Sequence, residues 1–235
     1  MDISVVIPIY NEEESIPVLY HDLTHVLTAM HSDYELIFID DGSTDNSQKI
    51  ICELKKKDPK ARIITLKENC GQSAAFDCGI KNAHGSLIIT IDGDNQNDPQ
   101  DIPRMLNALE DNDAVIGWRT QRKDPLSKRI SSRIANYVRN KISCENVHDT
   151  GCSLKLFRKE ALENITLYHG MHRFLPTLVK IEGKKVVEIP VNHRPRTRGQ
   201  SKYNTRKRAI KPFIDLLAVT WMKKYSLHYT AKEIQ

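Results

Sequence analysis

Five short runs rich in Ile, Val and Leu, at residues 3–9, 34–40, 61–66, 86–91 and 113–117, recur along the first half of this 235-residue chain. Each is separated from the next by a segment of helical length and character, and that alternation predicts βαβ units and a mainly parallel α/β sheet flanked by helices. The segment from Glu12 to Met30 places Ile16, Leu19, Leu23, Val26, Leu27 and Met30 at steps of three, four and one, which gives a helix one buried face. It is read as a packing helix and assigned no chemistry. Beyond Trp118 the pattern loosens into a basic helical stretch at about 127–141, a short strand near 153–157, a helix near 170–180 and a strand at 185–191. The length suits a single large domain. We expect that domain over residues 1–205, with a soft internal boundary near 118, and a basic C-terminal helix and tail over 206–235.

The strand ends carry the polar residues. The fourth run delivers Asp92-Gly93-Asp94, two carboxylates one residue apart, to the place where open α/β sheets bind ligands. Such a pair can hold a hard divalent cation that fills its remaining shell with phosphate oxygens and water. Asp-Gly is also a common turn dipeptide, so the segment alone reads equally as a solvated turn. The first run ends in Ile7-Pro-Ile-Tyr-Asn-Glu12 and the second in Asp40-Asp-Gly-Ser-Thr-Asp45. Pro8 fixes its own φ and removes one donor, so the chain can leave the sheet and present Tyr10 and Glu12 beside Asp41. An aromatic ring and carboxylates can grip a base and ribose, although Asn11 or Asp45 reads equally well as an ordinary helix N-cap. Neither GxGxxG after the first strand nor GxxxxGK[ST] occurs, which leaves phosphate to metal and cationic side chains.

Charge is divided sharply: residues 1–118 carry 9 Lys and Arg against 21 Asp and Glu, while 119–235 carry 26 against 9. The second half is therefore expected to meet something anionic. A nucleic-acid module would suit its basic character, but the acidic first half, only 15 aromatic residues and the absence of a reading motif argue for no nucleic acid. Five cysteines, at 52, 70, 78, 144 and 152, show no CxxC spacing and suggest a reducing compartment. Met1 leads almost directly into the first strand without a secretory signal, and no apolar run is long enough to span a bilayer. A cytoplasmic protein, soluble or peripheral at the membrane, is expected.

Taken together, Ile7-Pro-Ile-Tyr-Asn-Glu12, Asp40-Asp-Gly-Ser-Thr-Asp45, Asn69-Cys-Gly-Gln72 and Asp92-Gly-Asp-Asn-Gln96 resemble the nucleotide-sugar half of family 2 glycosyltransferases, which have a GT-A fold. Asp149-Thr-Gly-Cys-Ser-Leu-Lys, His172-Arg-Phe-Leu-Pro176, His193-Arg-Pro-Arg and Gly199-Gln-Ser-Lys-Tyr203 are similar to the subgroup that includes dolichol-phosphate mannose synthase and bacterial polyprenyl-phosphate sugar transferases. The resemblance implies that Pro8, Tyr10, Glu12 and Asp41 contact the nucleoside of a UDP- or GDP-sugar, with Gln72 nearby, and that Asp92, Asp94 and Gln96 surround Mg²⁺ or Mn²⁺ on its diphosphate. It also implies Arg119 and Arg133 at the phosphate of a polyprenyl acceptor, and Ser201 and Lys202 on the donor diphosphate. Two residues depart from the usual Asp-x-Asp-Leu-Gln pattern, Gly93 and Asn95, and neither is a ligand under this reading. Many members of the subgroup continue into membrane-spanning helices, which this sequence does not contain.

Arg119 and Arg133 have a physical case apart from the resemblance, since guanidinium groups give bidentate, permanently charged donors to phosphate. A transferase acting on a hydroxyl instead would need a carboxylate base, and Asp149 is the candidate. Residues 194–211 hold eight Lys or Arg and no acid, followed by the mostly apolar Pro212 to Met222. With basic flanks this segment can lie in an anionic membrane interface. The competing reading is a helix docked on its own domain, on a second copy in a homodimer or on a membrane protein.

Overall fold

The computed structural model describes residues 1–120, 147–195 and 210–227. Among them seven strands make one sheet: β1 (Ile3–Ile9), β2 (Tyr34–Asp40), β3 (Ala61–Thr65), β4 (Leu87–Thr90), β5 (Ala114–Arg119), β6 (Lys155–Arg158) and β7 (Val186–Val191). Their spatial order is β3-β2-β1-β4-β6-β5-β7. All neighbours run parallel except β6, which lies antiparallel between β4 and β5. The helices are α1 (Ile16–Ala29), α2 (Ser47–Lys57), α3 (Gln72–Lys81), α4 (Ile102–Ala108), α5 (Leu175–Ile181) and α6 (Ile210–Tyr225).

Successive strand residues enter opposite cores, as a sheet covered on both faces requires. Val5 and Ile7 join Leu19, Leu23 and Leu27 of α1 on one side, whereas Val6, Ile37 and Ile39 meet Ala75 and Phe76 of α3 and Val179 of α5 on the other. A third cluster joins Met171, Phe174 and Leu178 to Leu216 and Val219, and so docks α6 on the domain.

The first two predicted strands match β1 and β2 residue for residue. The fifth, expected to end at 117, runs on to Arg119 because Trp118 and Arg119 pair with Pro190 and Val191 of β7. The first helix begins at Ile16 rather than Glu12, since residues 10–15 form a loop and Pro17 sits in the opening turn, where a missing N–H costs nothing. The helix expected near 170–180 is divided into a 3₁₀ turn (Met171–Phe174) and α5, with Pro176 in the first turn of α5. The basic stretch at 127–141 and residues 206–209 lie outside the described residues. For function the decisive point is that β2, β1 and β4 are neighbours. Their carboxyl ends therefore form one continuous rim.

Candidate active site

That rim opens into a cleft of about 330 Å³ lined by Pro8, Tyr10, Glu12, Asp41, Gln72, Asp92 and Asp94, together with Ile9, Asn69, Gly71 and Gly93. The loops beneath it are interlocked by short polar side chains. Asn11 takes a left-handed φ of 53°, which Asn tolerates, and its Oδ1 accepts from the N–H groups of Thr44 (2.7 Å) and Asp45 (3.3 Å). It caps no helix; it ties the loop after β1 to the loop after β2. Asp45 accepts from Ser47 N–H (2.9 Å) at the start of α2, a capping contact, and also from Glu13 N–H. The Asp41 carboxylate accepts from the N–H groups of Cys70 (2.7 Å) and Gly71 (2.9 Å). Burial pushes the Asp41 pKa up against those two bonds. Asp41 thus positions the 69–71 turn as well as lining the cleft. Gly42 is required here, because its φ is +70° and an added Cβ would stand 2.8 Å from Asn69 N.

Asp92 and Asp94 enter from the end of β4. Gln72 Nε2 donates to Asp92 Oδ1 (2.5 Å) and Ser153 Oγ accepts from Asp92 N–H (3.2 Å). Burial, and then the charge of Asp94, push the Asp92 pKa up to about 6. Gly93 between them lies against β1, where a Cβ would meet Ile9 Cδ1 at 2.6 Å. Asn95 adopts a left-handed φ of 61° and donates to Ser15 O (2.9 Å). Gln96 contributes through its backbone: its N–H reaches Asp94 Oδ1 (3.1 Å) and its carbonyl accepts from Arg194 N–H (2.8 Å). The Gln96 side chain is not among the residues lining the cleft.

The donor set fits a hard divalent cation. Burial first and the charge of Asp94 second raise the Asp92 pKa, and a cation would offset both the lost hydration and the repulsion. No group of three or more His, Cys, Asp or Glu suited to a metal occurs among the described residues. Any such cation would therefore take much of its shell from a bound ligand and water, as Mg²⁺ does at phosphate sites.

On the other side of Asp92 the geometry is different. Arg119 grips Asp149 bidentately, Nε to Oδ2 at 2.6 Å and Nη2 to Oδ1 at 2.9 Å, and Asp149 also accepts from Gly151 N–H (3.1 Å). A buried carboxylate held this way is a poor proton acceptor, which counts against Asp149 as a base. Lys155, on β6 opposite Thr90, is 3 % exposed. Burial lowers its pKa, opposed by the charges of Cys152, Asp92 and Asp149. Arg194 bridges Asp22 (2.5 Å) and Asp98 (2.6 Å) and so anchors the start of the basic segment 194–211.

The structure thus gathers Pro8, Tyr10, Glu12, Asp41, Gln72, Asp92 and Asp94 into one cleft and sets Arg119 and Asp149 as a pair near Asp92. Arg133, Ser201 and Lys202 lie outside the described residues. Sequence reasoning did not find the Arg119–Asp149 pair, because neither residue reports its partner across 30 positions. It also did not find Ser73 and His172, whose side chains meet at 2.7 Å across 99 positions.

The family described as "Glycosyl transferase family 2" matches residues 4–166. The chain is 39% identical over 234 residues to dodecaprenyl-phosphate galacturonate synthase of Rhizobium johnstonii, covering 96% of this chain and 68% of that protein. It is 38% identical over 205 residues to undecaprenyl-phosphate 4-deoxy-4-formamido-L-arabinose transferase of Photorhabdus laumondii, covering 86% and 63%. The chain therefore spans about two thirds of the length of these relatives. In fold it is similar to glucosyl-3-phosphoglycerate synthase from Mycobacterium tuberculosis, solved with Mn²⁺, uridine diphosphate and phosphoglyceric acid. There the TM-score is 0.63 at 20% identity, covering 95% of this chain and 76% of that one.

Proposed function

The chain belongs to glycosyl transferase family 2 and has the GT-A architecture of its structural neighbours, and on that premise we propose that it transfers a sugar from a UDP- or GDP-sugar to a polyprenyl phosphate, with inversion, at the cytosolic face of a membrane. The observation that carries this reading is the convergence of Tyr10, Glu12 and Asp41 with the Asp92 and Asp94 carboxylates in one cleft. The relatives named above, both polyprenyl-phosphate sugar transferases, support the acceptor.

Tyr10, which lines the cleft and is 36% exposed, is assigned to stack on a base, and Glu12 and Asp41, in the same lining, to hold the nucleoside. Asp92 and Asp94 would hold Mg²⁺ or Mn²⁺, which as a Lewis acid favours departure of the nucleoside diphosphate. An acceptor phosphate is already anionic near neutral pH, so no strong general base is required. The chain's own contribution is then to align the two substrates and to offset charge. Arg119, oriented by Asp149, and Arg133 are assigned to the acceptor phosphate, and Lys202 with Ser201 to the donor.

Helix α6 supports a membrane-facing orientation. Leu216 and Val219 are buried against the domain, while Ile214, Leu217, Trp221 and Tyr225 recur at steps of three and four and are 48–64 % exposed. Lys223 and Lys224 lie at its end. No described helix is long and apolar enough to cross a membrane, and such an exposed stripe with basic neighbours suits the interface. The same helix therefore both packs on the domain and leaves an apolar face for lipid.

The test is transfer of label from a panel of UDP- and GDP-sugars to polyprenyl phosphate in detergent, with Mn²⁺ or Mg²⁺ and with chelator. Label should enter the lipid only with cation, and Asp94→Ala should abolish transfer while leaving the thermal midpoint nearly unchanged. Label passing instead to a soluble saccharide would overturn the acceptor, and full activity in chelator would overturn the metal.

A further inference from the structure

We infer that Ser73 and His172 are positioning residues for the donor cleft, and that through them helix α6 bears on sugar-nucleotide binding. The inference rests on the donor reading of the cleft given above.

Helix α3 opens at the cleft, where Gly71 and Gln72 form part of the wall and Gln72 holds Asp92. The next residue, Ser73, is 5% exposed. Its Oγ accepts from Gly170 N–H (2.9 Å) and lies 2.7 Å from His172 Nδ1. Ser73 Oγ thus joins the Gly170 backbone and the His172 ring to the first turn of α3. One turn further along α3, Phe76 packs against the same imidazole, with ring centroids 5.9 Å apart. His172 therefore grips α3 at two points on one face. The burial that surrounds it lowers its pKa to about 3, in keeping with a neutral ring throughout the working range.

The other side of this segment belongs to α6. Gly170 has φ +85°, and a Cβ there would stand 2.2 Å from Asp215 Oδ2, so the helix presses directly on the backbone whose N–H enters Ser73. Met171 and Phe174 pack with Leu216 and Val219. Packed interiors transmit displacement instead of absorbing it. A shift of α6 must therefore move residues 170–174, the first turn of α3 and the Gln72 amide on Asp92.

Titration calorimetry with UDP and GDP in Mn²⁺, without acceptor, combined with steady-state kinetics on both substrates, tests this on the full chain. Ser73→Ala and His172→Phe should weaken nucleotide binding and raise donor KM about five- to tenfold, the scale of one lost hydrogen bond, with acceptor KM within about twofold. Ser73→Thr keeps the hydroxyl and should restore binding. Leu216→Ala should weaken nucleotide binding about threefold. Glu35→Gln serves as the stability control: it weakens a buried network of Ser4, Arg62 and His84 away from the cleft, and should lower the thermal midpoint without separating the two KM values. If the unaltered protein binds neither nucleotide, the donor reading fails. If it binds and Ser73→Ala and His172→Phe bind equally well, or shift both KM values together, the positioning role is overturned. If only Leu216→Ala leaves binding unchanged, the link to α6 is overturned.

Discussion

Removing the Arg119 guanidinium would take the bidentate cation from the Asp149 carboxylate, and the cost can be worked out from the pair's geometry. The two side chains are 15% and 9% exposed, and two charge-assisted bonds join them at 2.6 and 2.9 Å. Breaking a buried pair by deleting one partner costs about 3–5 kcal/mol, because the remaining charge stays desolvated. Gly151 N–H still reaches Asp149, so we expect the lower end, about 3 kcal/mol, for Arg119→Ala. For a chain of 235 residues that is a fall of about 6–12 °C in thermal midpoint. Asp149→Leu should cost a similar amount by leaving the guanidinium unpaired. The double variant Arg119→Met with Asp149→Leu should recover most of the loss, since apolar replacement of a buried pair is often neutral. Acceptor KM should be raised in Arg119→Ala and in the double variant alike, because both lack the guanidinium proposed for the acceptor phosphate. The assay is urea unfolding of the four proteins with acceptor kinetics alongside. Single-variant losses below about 1 kcal/mol, the behaviour of solvent-screened pairs, would refute the burial argument. Loss of turnover in Asp149→Asn with stability unchanged would restore Asp149 as a base.

Three further outcomes are expected. Asp92 has its pKa raised in the folded protein to about 6, so its contribution to metal-free stability is present below about pH 4 and lost as pH rises through 6; Mn²⁺ affinity should run the other way, falling about tenfold per unit below pH 6 as the proton competes, and calorimetry across pH 5–7.5 measures it. Gly42→Ala meets both a positive φ and the backbone of Asn69; it should cost about 1–3 kcal/mol in thermal unfolding and weaken nucleotide binding by displacing the turn that Asp41 holds. Trp221→Ala removes a side chain that is 64% exposed; it should leave the melting temperature within about 1 °C, as surface changes do, yet reduce cosedimentation with anionic vesicles at low salt.

The sheet was legible because its strands are apolar runs whose ends are marked by polar residues, and β1 and β2 were placed without error. The cleft was legible for the same reason: the polar residues follow strands that the βαβ rule makes neighbours. Asn11 illustrates what was not. As a polar residue ahead of a helix it has the local signature of a cap, yet its left-handed backbone turns its side chain to Thr44 and Asp45 instead. Arg119 illustrates another kind of limit, since a basic residue after a strand announces a charge but not the buried acid that will hold it. The C-terminal helix presented two exclusive readings in sequence, docked or interfacial. Its Leu216 and Val219 are buried on the domain while Ile214, Leu217 and Trp221 are exposed on the opposite face, so the docked reading holds and leaves an apolar face open for the interfacial one.

Strand β6 is the only antiparallel member among the described strands and sits between β4 and β5. During synthesis β1 to β4 can assemble as they emerge, but the outer edge of β4, which carries the Asp92 loop, has no partner until residue 158 has left the ribosome. Strand β5, made some forty residues earlier, waits for the same event because β6 is what joins it to β4. An unpaired edge is open to another chain for that interval. Fragments cut near residue 118 should accordingly aggregate rather than persist as a separate unit: they keep every residue that lines the cleft but lose Ser153, which the second half of the chain supplies to the Asp92 loop.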